Sequence, residues 1–144
     1  MVRAGADVNL ANSEGFTPLC CAAFKGNREV VVALLVARAE VNIANIEGRS
    51  PLYCAAMEGH VEILKLLIKA KGDVNQCEKG GYSPLMVASV KGLVEAVELL
   101  LSNGADVHHR ANVGLTALDA AIHKMHPPSR PSYALMLKRR SARS

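Results

Sequence analysis

The chain has 144 residues, half of them hydrophobic, but only three Tyr, two Phe and no Trp; its one domain-sized core must be built from Ala, Val and Leu. The formal net charge of +4 is unevenly placed: the first 119 residues hold all thirteen acidic groups against eleven basic ones, and the remainder holds six basic groups and no acid. The longest apolar run, Val30 to Ala37, is far shorter than the roughly 20 residues of a membrane span; four cysteines with no CxxC pair, no N-x-[ST] sequon and no secretory leader predict a reducing, cytoplasmic setting, with the nucleus also open.

One register runs along the chain. Gly15, Gly48, Gly81 and Gly114 recur every 33 residues, as do Thr17, Ser50, Ser83 and Thr116, and Leu19, Leu52, Leu85 and Leu118. Val8, Val41, Val74 and Val107 keep the same step, and Asp7, Glu40, Asp73 and Asp106 form an acidic column. So many columns in step define an internal repeat.

In chain order, residues 1–14 read as the tail of an upstream unit, a turn without helices of its own, which leaves the first full unit without an obvious polar cap. The sequence is therefore expected to be part of a longer array. Units 15–47, 48–80 and 81–113 share one plan. A hydroxyl residue caps a short helix whose first position is Pro18, Pro51 or Pro84, where a missing N–H costs nothing. Ala pairs such as Ala22-Ala23 and Ala55-Ala56 allow close helix approach. Gly26, Gly59 or Gly92 then turns the chain with an expected positive φ. A second helix follows ("REVVVALLV", "VEILKLLI", "VEAVELLL"), with apolar residues at i, i+3 and i+4, and a turn leads to the next unit. A helix pair this short cannot bury its apolar face alone, so the units must stack.

The fourth unit, 114–140, begins normally with "GLTALDAAI", but Ala117 replaces Pro, Met125 replaces the turn Gly and "HPPSRP" interrupts the pattern. "SYALMLKRR" is expected to supply a displaced helix, with Tyr133, Leu135, Met136 and Leu137 covering the stack as a degenerate C-terminal cap, before a basic tail at 141–144.

On these columns the sequence resembles the ankyrin-repeat family over residues 1 to 126. The resemblance implies an all-α solenoid of stacked antiparallel helix pairs with projecting hairpin-like turns, no intrinsic catalysis and protein binding. The family's signature His is replaced by Cys20, Tyr53, Met86 and Asp119, which leaves the hydroxyl caps alone at these helix starts. The Gly that usually ends the second helix is kept at Gly5 and Gly104 but is Arg38 and Lys71 between them; a left-handed conformation there costs about 1 kcal/mol each, with the shifted Gly72 expected to relieve the second.

No nucleophile, phosphate-loop or zinc-protease motif is present, so neither an enzyme nor a cofactor is expected. Gly80-Gly81 fall in the turn register. His108, His109, His123 and His126 lack metal-ligand spacing, and His108 stands in the column of Asn9, Asn42 and Asn75. Cys21 and Cys54 share a column, one helix spacing apart and beyond disulfide reach. Glu95 and Glu98 read as a solvated face. Asn42 and Asn75, in "LLVARAEVN"-like contexts, are similar to the sites of the asparaginyl hydroxylase that modifies ankyrin proteins, although the family also uses this Asn to hold the turn backbone.

By register, the family's partner-contact positions fall on Phe16, Arg49, Tyr82 and Leu115 just after each turn Gly, and on Phe24, Lys25, Met57, Glu58, Val90 and Lys91 at the ends of the inner helices. Large side chains beside Arg49 are usual hot-spot chemistry. The expected function is a monomeric, non-catalytic protein-interaction module, a scaffold or adaptor. The competing reading is nucleic-acid or anionic-membrane association through the basic C-terminal segment, which the slightly acidic repeats disfavour.

Overall fold

The computed structural model describes residues 7–123. Gly5, the greater part of the expected cap and the basic tail lie outside the described residues. Seven helices occur among them and no strand: α1 (Pro18–Lys25), α2 (Arg28–Val36), α3 (Pro51–Glu58), α4 (Val61–Lys69), α5 (Pro84–Lys91), α6 (Val94–Ser102) and α7 (Ala117–His123). The inner row α1, α3, α5, α7 packs helix on helix, and the outer row α2, α4, α6 backs it less closely. This is the expected solenoid of helix pairs.

The inner helices start as the sequence predicts. Thr17, Ser50 and Ser83 sit in extended backbone and accept from the N–H three residues on, at 3.2, 3.1 and 3.2 Å, with Pro next in line. Each such cap contributes about 1 kcal/mol. Gly26, Gly59 and Gly92 close the same helices at φ 82°, 73° and 70°, where a side chain would be strained. Leu19, Leu52 and Leu85 are fully buried between the rows, as are Leu67 and Leu100 of the outer helices. Burial of such a side chain is worth about 1.5–3 kcal/mol each.

The hydroxyl caps do not stand alone, contrary to the sequence expectation. Met86 sulfur accepts from Ser83 N–H at 3.4 Å, and Asp119 accepts from Thr116 N–H at 3.0 Å while its own N–H donates to Thr116 Oγ1, a reciprocal cap. Cys20 donates instead across the stack, to the Arg49 carbonyl at 3.5 Å. Gly72 also departs from expectation. Arg38 and Lys71 themselves adopt φ 64° and 75°, and Gly72 is not left-handed. Its role is steric, since a Cβ there would meet the Leu67 carbonyl oxygen at 2.8 Å and Leu52 Cδ1 at 3.0 Å.

Two ladders join the units. The side-chain oxygens of Asn9, Asn42 and Asn75 accept from the N–H of Glu40, Asp73 and Asp106 at 2.9, 2.9 and 2.8 Å. At the turn tips, main chain meets main chain: Ile46 N–H donates to Glu14 O at 3.1 Å, Lys79 to Glu47 O at 2.9 Å and Asn112 to Gly80 O at 2.9 Å. Main-chain bonds therefore hold the tips in register, joined at the last step by the Asn112 side-chain amide, which donates to Lys79 O at 2.9 Å.

Candidate partner-binding surface

The first three tips are each shaped by one side-chain acceptor four residues before the predicted contact residue. Asn12 Oδ1 accepts from Glu14 N–H at 2.9 Å and Phe16 N–H at 3.0 Å. Asn45 does the same for Glu47 and Arg49, both at 3.0 Å, and Glu78 accepts from Tyr82 N–H at 3.0 Å. These acceptors were missed from sequence although Asn12, Asn45 and Glu78 share one 33-residue column. At the fourth tip the column holds Ala111, which leaves the main-chain bond common to all four tips: Ala111 N–H donates to Leu115 O at 2.8 Å, as Asn12, Asn45 and Glu78 N–H do to Phe16, Arg49 and Tyr82 O at 3.0 Å.

The contact positions themselves fall into local groups. The Phe16 and Phe24 rings lie 6.4 Å apart at 58°, joining a turn tip to the end of α1, and Phe24 remains 41 % exposed with exposed Lys25 beside it. Such a tilted pair is a favourable aromatic arrangement. Arg49 sits 5.9 Å over the Tyr53 ring and 3.8 Å from Glu47. Burial, and next the Glu78 charge, push the Tyr53 hydroxyl up to about 12. Glu58 and Lys91, at the ends of α3 and α5, face each other at 3.8 Å on an exposed edge, a pair of little energetic weight. Tyr82 and Val90 are half-buried, Leu115 is exposed, and Met57 lies inside at 9 % exposure.

The other singled-out residues have defined surroundings. Asn42 and Asn75 are exposed, yet their side-chain oxygens are engaged in the ladder. His109 Nε2 lies 2.8 Å from the Gly81 carbonyl and 3.2 Å from Cys77 Sγ. Burial and the nearby Asp73, Glu78 and Asp106 raise the Cys77 thiol, which keeps it protonated. Among the described residues, no group of three or more His, Cys, Asp or Glu is placed to hold a metal. No described helix is long and apolar enough to cross a membrane. Cys54 meets Cys20 rather than its column mate Cys21: the two buried sulfurs are 3.7 Å apart.

A family model for ankyrin repeats, three copies in length, matches residues 1–76 and again 24–111, so that together the matches span residues 1–111. No curated protein matches the chain significantly.

Proposed function

The chain belongs to the ankyrin-repeat family, and from that premise we propose that it acts as a scaffold or adaptor, presenting its turn tips and inner-helix ends to a protein partner. Ankyrin repeats are in general protein–protein interaction modules and typically carry no catalytic machinery. The observation that carries the reading is the Phe16–Phe24 pair: an aromatic tip residue packed against an aromatic helix-end residue that stays 41 % exposed, with Lys25 alongside. No core contact requires an aromatic at that edge, and clustered aromatic and cationic side chains are the usual anchors of an interface. Arg49, Glu58, Tyr82, Val90, Lys91 and Leu115 extend the same edge along the stack, and Met57 lends it a buried floor.

The test is affinity capture from a cell extract with wild type and a Phe24→Ala, Lys25→Glu variant of unchanged melting temperature. A partner retained by the wild type and lost by the variant supports this surface. A partner captured equally by both overturns it. Release of all captured protein by nuclease or by moderate salt would favour instead nucleic-acid association through the basic C-terminal segment.

A further inference from the structure

The inner row brings together two thiols that the repeat register does not pair. Cys20 on α1 and Cys54 on α3 are 34 residues apart, one more than the repeat, so they meet on a diagonal between stacked helices. Both are fully buried and their sulfurs are separated by 3.7 Å. Reaching a disulfide bond length of about 2.0 Å requires the sulfurs to close by about 1.7 Å. The two helices pack directly on each other, and Ala23 of α1 and Ala55 and Ala56 of α3 are fully buried small residues of the kind that let helices approach closely.

We propose that Cys20 and Cys54 form a site of reversible oxidative modification, at which hydrogen peroxide converts the two thiols to a disulfide that staples the first helix pair to the second. The Cys54 thiolate attacks one peroxide oxygen; an S–O bond forms, the O–O bond breaks, and the departing hydroxide takes up a proton to leave as water. The Cys20 sulfur then attacks the Cys54 sulfenic sulfur. The S–S bond forms as the S–O bond breaks, and the Cys20 proton leaves with the oxygen as a second water. Two thiols thereby lose two electrons and two protons, and one peroxide is reduced to two waters.

The local electrostatics assign the two roles. The hydrogen bond from Cys20, then the Arg49 charge, hold the Cys54 thiol below its usual range, while that hydrogen bond and burial keep the proton on Cys20. Cys54 is thus the attacking sulfur and Cys20 the resolving one. The one Cys20 S–H is shared between the Cys54 sulfur and the Arg49 carbonyl, 3.7 and 3.5 Å away, and oxidation removes it from both, so the change is felt at a turn tip. A small oxidant reaches the pair through transient separation of α1 from α3.

The test treats the full chain with hydrogen peroxide, alkylates remaining thiols in denaturant, and reads intact mass and a non-reduced peptide map. The expected result is that two of the four cysteines escape alkylation, that the map joins Cys20 to Cys54, and that dithiothreitol restores both. The oxidised chain should melt about 5 °C or more above the reduced one. Cys20→Ala should abolish the crosslink and leave Cys54 as a sulfenic acid trapped by dimedone. A crosslink between another pair overturns the proposal, as does oxidation of Cys77 alone with Cys20 and Cys54 still alkylated. A disulfide that forms without raising the melting temperature removes the staple. If Cys20→Ala does not fold, the wild-type map and melt decide.

Discussion

The three outer helices end alike, and one substitution series isolates what the left-handed residue costs. Ala39, Gly72 and Ala105 each donate to the carbonyl five residues back, at 3.0, 2.8 and 3.0 Å, and Arg38, Lys71 and Gly104 each donate three residues back. This paired motif satisfies orphan carbonyls and obliges the residue at 38, 71 or 104 to take φ 64°, 75° or 89°. A side chain in that region costs about 1 kcal/mol relative to glycine. At Gly104 an added Cβ would meet nothing within 4 Å, so Gly104→Ala should incur the torsional cost of about 1 kcal/mol, offset by roughly 0.5 kcal/mol from the stiffer unfolded chain, a net loss of about 0.5 kcal/mol. In the other direction, Arg38→Gly with Lys71→Gly should relieve about 2 kcal/mol of strain. Each new glycine also loosens the unfolded chain by roughly 0.5 kcal/mol, which leaves a net gain of about 1 kcal/mol and about 3 °C in melting temperature. The sites lie in different units, so the two effects should add. Urea unfolding followed by circular dichroism measures all three variants. A neutral Gly104→Ala, or a double variant less stable than wild type, would refute the assignment of strain to these positions.

Asn45 is 6 % exposed and its Nδ2 has no partner, and neither has the buried Nε of nearby Arg49; Asn45→Asp keeps the acceptor, removes one orphan donor and should stabilise by about 1 kcal/mol at neutral pH in the same urea assay. Thr116 holds the Asp119 carboxyl below the usual carboxylate range, so its contribution is present above pH of about 3.9 and is lost as pH falls through the lower folded value. Asp119→Asn should therefore melt below wild type at pH 7, with the difference vanishing in strong acid. Phe24→Ala, at a 41 % exposed position, should weaken a captured partner at least about 30-fold while moving stability little, as read by titration and melting in parallel. Hydroxylation of Asn42 or Asn75 would add one oxygen to the intact mass of chain isolated from animal cells; an unshifted mass would argue against it.

What was legible in the sequence was what depends on near neighbours along the chain. Thr17-Pro18, Ser50-Pro51 and Ser83-Pro84 specify helix starts by themselves, and Gly26, Gly59 and Gly92 specify helix ends. The repeat then places equivalent residues at equivalent sites, which is why the strained conformations at Arg38 and Lys71 were readable. Contacts off the register were not. Cys54 shares a column with Cys21 but touches Cys20, because side chains on stacked helices interleave diagonally. Gly72 reads as a turn residue, yet it is set by the Leu67 carbonyl and the Leu52 side chain of another helix. For the candidate surface, the register located Phe16, Arg49 and Tyr82, but exposure follows from what stacks on either side. Within one column Phe24 is 41 % exposed and Met57, on the α3 helix packed between α1 and α5, is 9 % exposed.

The main-chain bonds from tip to tip, Ile46 to Glu14, Lys79 to Glu47 and Asn112 to Gly80, ask nothing of the side chains that they align. Residues 16, 49, 82 and 115 can therefore be Phe, Arg, Tyr and Leu on one scaffold, since the frame that spaces them is indifferent to what they are. Under the proposed function, recognition and folding would in this way be written in different alphabets along the same edge. Drift at the tips can respecify a partner one unit at a time, without renegotiating the stack beneath.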